Sequence, residues 1–169
     1  MNSTLFYSKI LLFGEYGIIK DSKGLAIPYN SYNGTLKKKP VTSLLPSEQD
    51  SNASLARYVL YLREISQTQD PLVRFDIERL EQDIQEGMFF DSSIPQGYGV
   101  GSSGALVAAI YDTYALDKIE TSQALTRELL LKLKEIFALM ESFFHGKSSG
   151  LDPLNSYLSI PIPVSYTHL

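Results

Sequence analysis

The sequence predicts a single domain that mixes strands and helices, of α/β or α+β class. Strand-like and helix-like apolar patterns interleave along the chain, and no segment repeats. With 169 residues and 44% hydrophobic side chains, the chain is long enough for one sizeable core and too short for two ordinary domains.

The elements follow in order. Ser8 to Phe13 mixes large apolar and β-branched residues and stops at Gly14, which reads as an early strand, and Gly24 to Pro28 is a second extended piece. Pro40 to Asn52 is polar, with Pro46, Ser47, Gln49 and Asp50, and reads as a surface loop. Ser54 can cap a helix that places Leu55, Tyr58, Val59 and Leu62 on one face. Val73 to Ile77 alternates as a strand does, and Arg79 to Glu86 offers a short helix that Gly87 can end. Ala105 to Ala115 has helical character. Thr121 to Phe144 is the longest helical pattern, with Leu129, Leu133, Ile136, Phe137 and Met140 as its apolar stripe.

Composition excludes several function classes. A formal net charge of -4 argues against general attraction to nucleic acid or to an anionic membrane, both of which need clustered Lys and Arg. The one basic run, Lys37 to Lys39, reads as a solvated strand end or loop. Without cysteine there is neither a disulfide framework nor a thiolate zinc site, so a metal would be held by oxygen, and a reducing cytoplasm fits. The apolar run Ile10 to Phe13 is far below the roughly 18 residues of a spanning helix, and the expectation is a soluble, cytoplasmic protein. The last six residues, Val164 to Leu169, read VSYTHL, which resembles a translated sequencing adapter. The expected division is therefore a domain over 1–163 followed by a scar over 164–169, and His168 is left out of the site.

The densest chemical signal is IPQGYGVGSSGALVAAIYDTYA, in which Gly97, Gly99 and Gly101 precede Ser102, Ser103 and an apolar helical run. Glycines let the backbone turn tightly and aim several N–H groups at one point. A helix that starts there adds the positive end of its dipole, and the combination favours a phosphate. The serine hydroxyls can bond phosphate or coordinate magnesium. No Lys follows the glycines as GK[ST] requires, and the dinucleotide GxGxxG reading lacks its strand and acidic partner.

Two further constellations flank this loop. In MESFFHGKSSGLDPLNSY, His145 and Gly146 close the long helix, and Ser148, Ser149 and Gly150 make a loop that presents Asp152. Asp152 before Pro153 also suits a helix cap, Glu141 a solvated helix face, and His145 a helix end. In SKILLFGEYGIIKDSKGLAIP, Lys9 suits a strand edge and Glu15 a turn beside Gly14 and Gly17.

Together these segments resemble the GHMP superfamily of small-molecule kinases, most closely the mevalonate kinases. PxGxGxGSS, here Pro95, Gly97, Gly99, Gly101, Ser102 and Ser103, resembles the family's second motif, which wraps the ATP phosphates. HGKSSGLD resembles the HGxxSGxD segment, and SKILLFGEY resembles PGKxxLxGEH, with Tyr7 and Ser8 in place of Pro-Gly and Tyr16 in place of the histidine.

The resemblance implies an α+β amino-terminal domain of two-layer, ribosomal-protein-like type, with a ferredoxin-like carboxy-terminal domain missing. It implies ATP and Mg2+ as cofactors, with Pro95, Gly97, Gly99, Val100, Gly101, Ser102, Ser103 and Gly104 at the nucleotide and Ser103 and Glu141 at the metal. Asp152 would be the catalytic carboxylate and Lys9 its cationic partner. Glu15, Tyr16, His145, Ser149 and Gly150 would face the substrate. The implied reaction is phosphoryl transfer to a small-molecule hydroxyl, mevalonate foremost, with phosphomevalonate or homoserine as other acceptors. The implied partners are a small-molecule substrate and a possible homodimer, with neither nucleic acid nor membrane. A non-catalytic ATP-binding sensor is the alternative; it would be expected to lose the Lys, Glu or Asp, all of which are present.

Overall fold

A computed structural model describes residues 4–13, 23–122 and 124–165. In chain order the elements are β1 (Phe6–Phe13), β2 (Lys23–Lys38), α1 (Pro46–Ser66), α2 (Ile77–Gln85), β3 (Met88–Ser92), α3 (Ser102–Tyr114), α4 (Arg127–His145), α5 (Leu151–Leu158) and β4 (Ile162–Ser165). All strand pairings are antiparallel, which places the fold in the α+β class.

The long strand β2 organises the sheet. β1 runs along one edge of it, from Phe6 opposite Gly34 to Phe13 opposite Leu25. The other edge is shared, by β4 against Lys23 to Ala26 and by β3 against Gly34 to Lys38. Helices α3 and α5 contact β1 and β2, while α1 and α2 contact β3.

Helix α3 is apolar on nearly every side, with Ala105, Val107, Ala108, Ala109, Ile110, Tyr111 and Tyr114 all buried, as a central helix requires. Tyr111, Phe137 and Tyr157 meet edge to face at centroid distances of 5.0, 5.3 and 5.5 Å and join α3, α4 and α5. Both buried phenols end on one residue: Ile119 N donates to Tyr111 Oη, and Tyr157 Oη donates to the Ile119 carbonyl, each at 2.9 Å. Tyr58 Oη and Tyr61 Oη donate to the carbonyls of Met140 and Leu139 and fasten α1 to α4.

Several expectations are corrected. The polar stretch expected as a loop over Pro40 to Asn52 is helical from Pro46 onward. Proline suits the first helical position, because the N–H it lacks would be unpaired there, and Glu48 accepts from the Leu45 N–H at 2.9 Å. Ser54 lies inside that helix rather than at its cap. Val73 to Ile77 makes a single bridge, Phe75 to Ala115, instead of a strand, because Asp76 accepts from Arg79 N and starts α2. Helix α4 begins at Arg127 instead of Thr121, capped by Thr126, and its 19 residues are fewer than the 21 of α1. β2 runs ten residues past Pro28. Among the described residues no strand pairs with the edge opposite β1 around Pro28, between the segments held by β4 and β3, so the proline breaks no ladder there.

Candidate active site

The glycine-rich loop is positioned by the strand beside it. Lys9 N donates to the Val100 carbonyl at 3.0 Å, so the free edge of β1 is covered by the loop. Gly97, Gly99 and Gly101 all have positive φ, and Gly101, at +83°, is the residue from which α3 starts. A β-carbon on Gly101 would come within 3.1 Å of Lys9 Cγ. The loop therefore delivers the N-terminus of α3, with Ser102 and Ser103 in its first turn, next to the Lys9 side chain.

A second helix starts at the same place. Gly150, with φ +71°, opens α5, and Asp152 lies in its first turn. Gly104 allows the two helix starts to touch: a β-carbon there would sit 2.9 Å from Asp152 Cβ and from Pro153 N. Ser156 Oγ donates to the Tyr7 carbonyl at 2.9 Å and ties α5 to β1. Lys9 Nζ then meets Asp152 Oδ1 at 2.9 Å, with the side chains 16% and 32% exposed. Residues 143 positions apart thus form an ion pair between two helix N-termini.

Glu141 is buried, at 4% exposure, one layer behind this pair. Ser103 Oγ donates to Glu141 Oε1 at 3.0 Å, and Ser148 Oγ donates to Oε2. Gly150 N donates in turn to Ser148 Oγ, and His145 Nε2 lies 3.0 Å from Ser103 Oγ. Burial pushes the Glu141 carboxyl up, and the nearby Asp152 charge adds to that, while the two serine hydroxyls pull it down. Among the described residues Glu141 has no salt bridge, and no group of three or more His, Cys, Asp or Glu converges as a metal site.

These groups open into a cleft of about 940 Å³. Pro95 to Gly101, except Tyr98, line it together with Ser102, Ser103, His145 and Asp152. Lys9 and Glu141 stand behind that lining and reach it through Asp152 and Ser103. Ser149 and Gly150 are not part of the lining: Ser149 Oγ accepts from Leu151 N, and Gly150 packs against the backbone of Lys134 and Ala138 in α4. Glu15 and Tyr16 lie outside the described residues.

The far wall was not foreseen. Ser47, Asp50, Ser51 and Ser54 on α1 and Phe89 to Ser92 on β3 line the same cleft. The signal was present in the i, i+4, i+7 spacing of Ser47, Ser51 and Ser54, which marks one helix face once the segment is read as helix.

The arrangement can cradle an anion on two helix N-termini, place a carboxylate beside it, and offer a hydroxyl and a second carboxylate to a hard cation. No helix among the described residues is long and apolar enough to cross a membrane.

Comparison with known proteins agrees with the fold. The chain is similar to the mevalonate kinase of L. major, solved in complex with R-mevalonate, at 18% identity and a TM-score of 0.51, over 96% of this chain and 48% of that one. It is also similar to the mevalonate kinase of Methanococcus jannaschii, at 15% identity and a TM-score of 0.53, over 96% of this chain and 53% of that one. A third mevalonate kinase gives 14% identity and a TM-score of 0.55, over 99% of this chain and 55% of that one. The chain spans about half the length of these structures, and at such identities the likeness establishes the fold. No curated protein matches the sequence. The family model described as the GHMP kinases N terminal domain matches residues 57–159, which hold the glycine loop, Glu141 and Asp152, and the chain therefore belongs to the GHMP kinase family.

Proposed function

We propose that the chain supplies the phosphate-binding loop and the catalytic pair of an ATP- and magnesium-dependent kinase that phosphorylates the hydroxyl of a small molecule, with mevalonate as acceptor. The Lys9–Asp152 pair at 2.9 Å, set beside the glycine loop, carries this reading. A lysine from β1 and an aspartate from α5 have no packing reason to converge at a phosphate-type loop, whereas phosphoryl transfer needs a carboxylate and a cation there.

The chain's own groups divide the work. The N–H groups of the loop and of the first turn of α3 favour the negative charge of a polyphosphate at that helix end. Ser102 offers a further hydroxyl at the same point. Asp152 Oδ1 and Oδ2 are the oxygens that would accept the proton of the acceptor hydroxyl, a contribution of about 10²–10⁴ in rate. Lys9 offsets the carboxylate charge and holds its rotamer. Ser103 and Glu141 fit a magnesium ion, because a buried carboxylate with no salt bridge among the described residues is costly and magnesium accepts one or two carboxylates alongside phosphate oxygens. Bound magnesium would neutralise charge on the phosphate oxygens. The similarity to mevalonate kinases supports mevalonate as the acceptor.

The test is ADP release by the full-length gene product with ATP and magnesium, offered mevalonate, phosphomevalonate, homoserine or galactose. Selective turnover of mevalonate is expected. Turnover of another acceptor would retain the catalytic residues and replace the substrate, and ATP binding without turnover of any acceptor would favour a non-catalytic sensor.

A further inference from the structure

We infer that His145 is a positioning residue that fixes the Ser103 hydroxyl toward Glu141 and so keeps that pair ready for a divalent cation; the cation part rests on the kinase reading above. A serine hydroxyl has one proton and two acceptor lone pairs. Ser103 Oγ donates its proton to Glu141 Oε1 at 3.0 Å, so its contact with His145 Nε2, also at 3.0 Å, must be donated by the imidazole. His145 is therefore held as the Nε2–H tautomer.

The geometry makes this a clamp rather than a chance contact. Glu141 and His145 are four residues apart on α4 and share one face, so a single helix grips one hydroxyl from both sides. The gripped residue lies in the first turn of α3, where its remaining lone pair is next to the cleft. Without His145 the hydroxyl can rotate away from Glu141, whose buried carboxylate then keeps Ser148 alone as a side-chain donor among the described residues. Partners that orient a metal ligand typically matter by about 10- to 100-fold in metal affinity.

Glutamine is the informative replacement, since its amide nitrogen can reach about where Nε2 stands and still donate. In the full-length protein, His145→Leu should raise the magnesium concentration that half-saturates ATP binding by about 10- to 100-fold. ATP binding without magnesium should change far less than binding with it, and His145→Gln should recover most of the magnesium-dependent loss. Unchanged magnesium dependence in His145→Leu, or equal losses in the two variants, would overturn the inference. A second readout is independent of nucleotide: long-range proton–nitrogen NMR at about pH 9, where imidazole is neutral, with His145→Gln used for assignment. The Nε2–H tautomer is expected, and Nδ1–H would overturn the inference. If the wild type binds no nucleotide, the kinase reading falls, and the tautomer alone then decides the contact between His145 and Ser103.

Discussion

Gly150→Ala probes how α5 is held so that Asp152 faces Lys9. Gly150 has φ +71°, where an L side chain costs about 1–2 kcal/mol. A β-carbon there would also clash with the Lys134 carbonyl and sit 2.6 Å from Ala138 N, both backbone atoms of α4 that cannot swing aside. Overpacking of that kind adds about 1–3 kcal/mol. Gly97 provides the comparison, with φ +81° and nothing within 4 Å of its β-carbon, so Gly97→Ala bears the conformational cost alone. Each kcal/mol lowers Tm by about 2–4 °C in a protein of this size. Thermal unfolding followed by circular dichroism should therefore place Gly150→Ala below Gly97→Ala by several degrees, at a common pH and protein concentration. Equal Tm values for the two variants would refute the close packing of α5 on α4, and with it the account of how Asp152 is aimed.

Three more outcomes follow from other contacts. Ser103→Ala removes the hydroxyl that bonds both Glu141 and His145 and should raise the magnesium needed for ATP binding by about 10- to 100-fold, read by titration. Tyr157→Phe strips the donor from the buried Ile119 carbonyl and should cost about 1–2 kcal/mol by chemical denaturation. Burial alone would raise the Asp83 carboxyl, but hydrogen bonds from Lys38 and Tyr114 outweigh it and hold it below its ordinary value of 3.8. Folded protein then binds that proton less tightly than unfolded protein, so the stability is present above 3.8 and lost as pH falls through the lowered value. Asp83→Asn should thus be less stable than the wild type at neutral pH, and the gap should close in strong acid.

The helices that carry the site were legible because their apolar spacing is strong. The stripe from Leu133 to Met140 marked the body and the end of α4, though not its start at Arg127, and the glycines before Ser102 marked the start of α3. Helix α1 was shortened because its first two turns expose Ser47, Asp50 and Ser51 to the cleft, and a polar run after a proline looks like loop. Strand β3 went unread, since Met88 to Phe90 is short and gains its definition from pairing with β2. The Lys9–Asp152 pair could not be derived from spacing, because it depends on β1 and α5 meeting across the fold. Only the resemblance of the three motifs to one family put those residues together in advance. The wall formed by α1 and β3 stayed hidden for the same reason that α1 itself was shortened.

The most direct test of the central claim is acceptor-dependent ADP release by the full-length wild type and by Asp152→Asn, measured side by side with magnesium and mevalonate. Proton transfer to Asp152 entails turnover in the wild type that falls by about 10²–10⁴ in the variant, with magnesium-ATP affinity nearly unchanged. Near-normal turnover by Asp152→Asn would contradict it.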